Sequence, residues 1–192
     1  GDPLRYLGVS IVPTPASGFL SFSAVGTVPL VTGGGLIVAT ATDSQGNTSE
    51  FSSSVIVVAP NSAPTIGNIE PTELTYFENG GPRPVSTSIT VFDADFDTLT
   101  SATITIGGYQ SDQDLLAFTE TTNISGSWNS VTGVLTLTGN ASVNEYQTAL
   151  RSVTYENTSD NPEPSVRNIS LVVSDGVLSS NLVTRTVITV RS

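Results

Sequence analysis

Short runs in which apolar and hydroxyl-bearing side chains alternate, each closed by Gly, Pro, Asn or Asp, recur along this chain and limit its fold more than any other feature. Ile37-Val38-Ala39-Thr40-Ala41-Thr42 and Val134-Leu135-Thr136-Leu137-Thr138 show the pattern. A period of two sends one set of side chains inward and the other outward, which suits a strand and not a helix. Val, Ile and Thr are also stiff at χ1 and favour a pleated surface. Hydrophobic residues make up 38% and the mean hydropathy is +0.13. That is enough to bury a core, so the pattern predicts an all-β globular chain and excludes acidic disorder, which needs low hydrophobicity.

Charge narrows the chemistry. The 192 residues carry 17 acidic and 6 basic side chains, a formal charge of −11, and contain no His, Cys or Met. All six basic residues are Arg, so Lys is absent as well. Without His or Cys there is no Ser-His-Asp or Cys-His machinery and no thiolate zinc site. Without Lys there is no Schiff base, no P-loop and no Lys–Asn cross-link. Carboxylate-only catalysis is what remains, and acids clustered on one turn do not supply the two facing carboxylates that glycoside hydrolysis requires. A phosphate backbone would be repelled, which excludes nucleic acid as a partner and leaves divalent cations as the natural counter-charge. No apolar run is long enough to span a membrane. With neither an initiator Met nor a signal peptide, the expectation is a piece of a longer secreted chain. The lack of Cys fits bacterial secretion.

Turn signals divide the chain into two parts. Residues 1–60 carry strand-like runs at Leu4–Val12, Phe19–Ala24, Leu36–Thr42 and Phe51–Val58. Four are few for a sandwich of about seven strands, so this unit is expected to be truncated at its N-terminus. Asp43, Asn47 and Glu50 share a turn that reads as a hydrogen-bonded Asx turn, with cation binding as the alternative. Ala59-Pro60-Asn61-Ser62-Ala63-Pro64 then reads as a stiff linker.

Residues 61–192 form the longer unit. Strands are expected at Leu74–Glu78, Ser86–Phe92, Ser101–Ile106, Leu115–Thr119, Ser125–Asn129, Val134–Thr138, Arg151–Tyr155, Arg167–Val173 and Leu182–Val190, with turns at Thr132-Gly133 and Asp175-Gly176. Ser142-Val143-Asn144-Glu145 has the form of a capping box and starts one short helix.

The sharpest local signal is Phe92-Asp93-Ala94-Asp95-Phe96-Asp97-Thr98-Leu99. Three acids at every second position repel one another until a cation or a donor neutralises them, and Ca²⁺ with its six to eight oxygen ligands suits such a cluster. An EF-hand is excluded, because Thr98 stands where the loop needs Gly and Ile104 where it needs Glu. A solvated acidic turn is the competing reading. Arg167, ahead of a core strand, is expected in a structural ion pair with Asp160, Glu156 or Asp175. Trp128, Tyr109 and Phe96 are the candidates for stacking on a sugar ring, with a core position the alternative for Trp128. Asn47, Asn123, Asn140, Asn157 and Asn168 each begin an Asn-x-Ser/Thr sequence, most of them expected by chance in so Ser/Thr-rich a chain and unmodified in a bacterium.

From about residue 64 to 190 the sequence resembles the cadherin-like repeats of large bacterial surface and adhesin proteins. The matching pieces are Phe77-Glu78-Asn79-Gly80, the Asp93-x-Asp95-x-Asp97-x-Leu99 turn, Gly133-Val134-Leu135-Thr136-Leu137-Thr138-Gly139, Tyr146-Gln147-x-Ala149-Leu150-Arg151-Ser152-Val153-Thr154-Tyr155-x-Asn157, Arg167-x-Ile169 and Val173-Ser174-Asp175-Gly176. The resemblance implies a Greek-key β-sandwich with Ca²⁺ at one pole. A first-strand acid is matched by Glu78 and an Asp-x-Asp by Asp93 and Asp95, while Asp175 completes the site if its turn lies beside them. The linker departs from the pattern, offering Asn61 and Ser62 in place of acidic residues, so a single ion fits better than a multi-calcium joint.

Residues 39–52, with Tyr6-Leu7-Gly8 and Gly18–Phe22, resemble the C-terminal part of bacterial Ig-like modules that follow β-helix regions. Together these likenesses predict two tandem Ig-like and cadherin-like units, 1–60 and 61–192, in a non-catalytic extracellular adhesion or spacer segment stiffened by calcium. Its expected partners are neighbouring domains of a longer chain and a cell-surface protein or polysaccharide. A carbohydrate-binding module using Trp128 and Tyr109 is the alternative.

Overall fold

The computed structural model describes residues 36–50, 52–56, 61–95 and 98–191. The strands expected at Leu4–Val12 and Phe19–Ala24, together with Phe96 and Asp97, lie outside the described residues. The chain is mostly β with one short helix, and it divides into Gly1–Pro60 and Asn61–Ser192.

In the first unit, β1 (Leu36–Ile37) and β2 (Val55–Ile56) pair antiparallel. Both are shorter than the alternation predicts, and hydroxyl groups explain why. The Ala39 and Ala41 amides donate to Ser52 Oγ at 3.0 Å and Ser49 Oγ at 2.9 Å, so side chains replace half of the ladder. Asp43 makes the expected Asx turn. Its Oδ1 accepts from the Gln45 and Asn47 amides at 2.9 and 2.8 Å, and its Oδ2 from Asn47 Nδ2 at 2.8 Å. These bonds, that from the Asn47 side chain foremost, hold the Asp43 carboxyl below its ordinary value.

The second unit runs β3 (Thr65–Gly67), β4 (Leu74–Phe77), β5 (Arg83–Pro84), β6 (Thr90–Phe92), β7 (Thr98–Gly107), β8 (Asp114–Ala117), β9 (Ser125–Asn129), β10 (Val134–Ser142), α1 (Val143–Arg151), β11 (Thr154–Asn157), β12 (Val166–Ser174) and β13 (Val183–Val190). A six-stranded sheet has the order β4-β13-β12-β7-β10-β9, a three-stranded sheet the order β5-β11-β8, and β3 pairs with β6. Every pair is antiparallel except β4 with β13. Alternation works as the sequence predicts: in β7, Leu99, Ala102, Ile104 and Ile106 are buried while Thr103 points outward. Ile104, Leu137 and Leu171 of the large sheet share one core with Leu116 and Tyr155 of the small one. Tyr146 and Leu150 of α1 close it at one end.

Three local differences from the sequence reading have physical causes. The Ser142 hydroxyl caps α1 by accepting from the Glu145 amide at 3.1 Å, but the Glu145 carboxylate does not complete the box. It accepts instead from Thr121 Oγ1 at 2.5 Å and Asn123 Nδ2 at 3.0 Å, fastening the turn before β9. The helix continues through Arg151, so the strand expected from that residue begins at Thr154. Arg151 Nε donates to the Ile89 carbonyl at 2.9 Å. The segments β3 and β5 are too short for a period to register, and Pro84 is tolerated because β5 is an edge.

The largest fully buried side chain is Arg167. Its partner is none of Asp160, Glu156 and Asp175 but Asp114, at the start of β8, whose Oδ2 accepts from Arg167 Nε at 2.7 Å. Antiparallel pairing brings the residues there, since Asp114 stands opposite Asn157 in the three-stranded sheet while β12 belongs to the other sheet. Asp114 Oδ1 accepts from the Tyr155 hydroxyl at 2.6 Å and from Asn157 Nδ2 at 2.8 Å, and Oδ2 also accepts from the Gln110 amide at 2.8 Å. Arg167 Nη1 donates to the Ser165 hydroxyl and carbonyl. The Tyr76 hydroxyl donates to the Asn157 carbonyl at 3.1 Å, and its ring meets Tyr155 edge to face, centroids 5.3 Å apart. Burial, the hydrogen bond to Asp114 and the charge of that carboxylate push the Tyr155 hydroxyl well above its ordinary value, so it acts as a donor throughout the usable pH range.

A second ion pair ties β13 to the 68–88 segment. Glu70 Oε2 meets Arg185 Nη1 at 3.0 Å, and Oε1 accepts from the Thr87 amide at 2.9 Å. Burial would raise the Glu70 carboxyl, but hydrogen bonds from Ser86 and the Thr87 amide and the charge of Arg185 outweigh it and bring the value from 4.5 down to about 2.

Breaking the buried pair from one side strands a charge. Asp114→Ala is expected to destabilise the second unit by roughly 3–5 kcal/mol in urea unfolding, and the double change Asp114→Leu/Arg167→Met to recover most of that loss. A depressed carboxyl stabilises fully above its unfolded value and loses that contribution as the pH falls. Acid titration of stability should therefore show a loss between pH 4.5 and about 2, on the order of 2–3 kcal/mol, that Glu70→Gln removes.

Candidate functional site

The acidic residues singled out by the sequence divide between opposite ends of the large sheet. β12 runs from Val166, which pairs with Ile188, to Ser174, which pairs with Ser101. Asp175 follows at the far end. Glu78 follows Phe77, which pairs with Val190, and its amide donates to the Val190 carbonyl at 2.9 Å. Glu78 therefore lies beyond the end where β12 begins. Eight residue steps of extended strand separate the ends by about 26 Å, so Glu78 and Asp175 do not share a site.

The other end gathers Asn61, Ser62, Asp93, Asp95 and Asp175. Asp175 is buried, 6% exposed, at the hairpin between β12 and β13. Its Oδ1 accepts from the Val177 and Leu178 amides at 2.6 and 2.7 Å, and its Oδ2 from Asn61 Nδ2 at 2.9 Å. Gly176, with φ at +99°, makes the turn that aims those two amides back at the carboxylate. Burial would raise the Asp175 carboxyl, yet the hydrogen bonds from the Leu178 amide, Asn61 and the Val177 amide lower it overall. Asp95 Oδ2 accepts from the Ser62 amide at 2.8 Å, and Asp93 Oδ1 accepts from the Asp95 amide at 3.2 Å. Asn181 completes the fastening, its amide group bonding both the amide and the carbonyl of Ile66 at 2.9 Å.

Two staples thus pin Asn61 and Ser62 to the end of the sheet, Asn61 to Asp175 and Ser62 to Asp95. Neither Asp95 nor Asp175 is ion-paired with an arginine among the described residues. Asn61 Oδ1 is buried and accepts no hydrogen bond. Among the described residues no three acidic side chains stand close enough to hold a metal ion by themselves. Asp97, the remaining member of the expected set, lies outside them.

Trp128 and Tyr109 are brought together. Their rings meet edge to face, centroids 5.9 Å apart at 78°, and both pack against the core. Tyr109 covers Gly133, where a Cβ would come within 2.5 Å of its ring, and its hydroxyl donates to the Ser130 carbonyl at 2.7 Å. Crossed rings of this kind do not form the flat platform on which a sugar stacks. The residue that sequence reasoning missed is Asp114. Its signal was present in Tyr155-x-Asn157, two polar groups on one face of a strand, aimed where Arg167 has to be neutralised.

Over 107 residues the chain is 40% identical to part of halomucin from Haloquadratum walsbyi (strain DSM 16790 / HBSQ001), a match that takes in 53% of this chain and 1% of halomucin. The chain therefore corresponds to a very small share of that protein's length. No family model matches the chain, and no solved structure matches it.

Removing the buried staple leaves two amides without an acceptor. Asp175→Ala is expected to cost about 1–3 kcal/mol in chemical denaturation, and Asp175→Asn less, because one oxygen remains to accept. Since the Asp175 carboxyl is lowered in the folded state, its contribution is complete above its unfolded value of 3.8 and is lost as the pH falls below it.

Proposed function

We propose that the chain is a non-catalytic spacer or adhesion segment of a long extracellular protein, with its second unit a cadherin-like β-sandwich. The observation that carries this reading is the match to 1% of halomucin, a large archaeal surface protein. Resemblance to so small a share of so long a chain is what one unit among many would give. The fate of the buried charges supports a structural role. Both Asp114 oxygens and the Nε and Nη1 groups of Arg167 are spent on each other and on Tyr155, Asn157, Gln110 and Ser165. Glu70 and Asp175 likewise serve the backbone.

We further propose that the acidic end of the second unit takes Ca²⁺, with Asp93, Asp95, Asp175 and the Asn61 amide oxygen as its ligands, Asp97 added from the same turn, and Glu78 excluded by the strand register. A buried amide oxygen that accepts no hydrogen bond among the described residues, beside Asp95 and Asp175, neither of them ion-paired with an arginine among those residues, suits an oxygen-seeking divalent ion. Because no three of the described acids stand within reach of one ion, binding has to draw Asp93 and Asp95 toward Asp175. An ion that binds only the folded state stabilises it by mass action, about 2.7 kcal/mol at a hundredfold excess over Kd.

The test is a thermal melt at millimolar Ca²⁺ and in EDTA. A rise of several degrees with calcium is expected, and Asp95→Asn, which keeps an oxygen for the Ser62 amide but loses the charge, should abolish the rise without unfolding the unit. Identical melting curves in calcium and EDTA would remove the metal from the proposal.

A further inference from the structure

Each of the five Asn-x-Ser/Thr sequences offers an amide nitrogen to a glycosyl donor, and the fold separates them. Asn157 is 2% exposed, and its Nδ2 donates to Asp114 at 2.8 Å inside the buried ion-pair network. A sugar there has no room and would dismantle that network. Asn123 Nδ2 is held by the Glu145 carboxylate at 3.0 Å, and Asn47 Nδ2 by Asp43 at 2.8 Å. Asn168 is exposed, but it lies inside β12 with a paired strand on either side, and its Oδ1 accepts from Thr186 Oγ1 at 3.3 Å.

Asn140 differs from all four. It is exposed and its side chain makes no hydrogen bond among the described residues, and it stands where β10 shifts register against β7, between Thr138 and Ala141. Ala141 fills the core side of that irregularity at 3% exposure, which leaves Asn140 on the outer side. The hydroxyl two residues on, that of Ser142, is fixed as the cap of α1. Such a bulge re-aims a side chain away from the flat ladder, and surface placement is what this modification requires.

We propose that Asn140 is the acceptor of an N-linked oligosaccharide. The donor is an oligosaccharide on a polyprenyl phosphate or diphosphate, delivered by a membrane oligosaccharyltransferase. A bond forms between Nδ2 and the anomeric carbon of the first sugar. The bond from that carbon to the phosphate oxygen breaks, the lipid phosphate leaves, and one amide proton goes to the transferase. On the outer face beside Asn140, Thr138 and Thr136 precede it on β10, with Ser101 and Thr103 opposite on β7. Their hydroxyl and methyl groups offer a sugar hydrogen bonds and apolar contact.

This inference rests on export of the chain, so its test follows location and modification together. The protein is recovered from cells and medium of its native producer, and its peptides are mapped by tandem mass spectrometry. The expected result is exported protein whose Asn140 peptide carries a sugar mass and whose Asn157 peptide does not. Asn140→Gln should lose that mass while its melting temperature stays unchanged. Exported protein with a bare Asn140, or with sugar on Asn157, overturns the inference and leaves the extracellular reading standing. Protein retained inside the cell overturns both.

Discussion

The contact between Arg167 and Asp114 decides how the two sheets of the second unit meet. One partner comes from the six-stranded sheet and the other from the three-stranded sheet, and neither side chain is accessible to water. Removing two charges from water costs several kcal/mol per ion, and mutual attraction offsets this only when the remaining donors and acceptors are also satisfied. Here Tyr155, Asn157 and Gln110 satisfy the Asp114 oxygens and Ser165 takes Arg167 Nη1, which leaves only Nη2 without a partner among the described residues, and Tyr76 holds Asn157 from the other side. A register slip of one residue in β11 would turn Tyr155 and Asn157 away from Asp114 and strand both charges. The network therefore opposes alternative pairings more strongly than the surrounding Leu and Ile contacts, which tolerate hydrophobic exchange.

The same economy appears at the acidic end of the sheet. Asp175 and Asp95 hold the start of the unit by accepting backbone and amide N–H groups, so their bonds act before any ion is considered. A carboxylate that accepts several such bonds is stabilised in its charged form without a cation. Residual repulsion among Asp93, Asp95 and Asp175, and the buried Asn61 oxygen, are what an ion would relieve. The staples thus fix where Asn61, Ser62 and the acidic residues beside them sit, and the ion proposed above would act on those same residues.

How much of this the sequence disclosed depended on whether the signal was periodic. The long strands β7, β10, β12 and β13 were legible because alternation runs through eight or more residues, enough for the inward set to stand out. The helix was legible from Ser142 and Glu145, although only half of that box formed, since Thr121 and Asn123 competed for the carboxylate. Pairings across the chain were not legible. Arg167 was recognisable as half of a structural ion pair, but Asp114 is 53 residues away and only the meeting of two sheets brings them together. Glu78 illustrates the converse. It stands two residues after a buried Tyr76, as a first-strand acid should, and only the parallel pairing of β4 with β13 reveals that it faces the other end.

Where the acids do not lie explains how so unbalanced a chain folds as a sheet. Seventeen acids face six arginines, a surplus of eleven negative charges. In a ladder, opposed side chains stand about 4.5–5.5 Å apart, so an unpaired acid there would be desolvated, and two opposite each other would repel. None of the six strands of the large sheet contains an Asp or Glu. Thr, Ser and Asn take many of the outward positions, beside exposed Phe77 and Val166, and their hydroxyl and amide groups hydrogen-bond across the face, as Ser170 does with Thr184 and Thr186 with Asn168. The described acids sit instead in turns, loops, the helix and the small sheet, where they accept N–H groups or meet water. The acidic surplus is thereby kept off the large ladder, whose strands hold no carboxylate to desolvate.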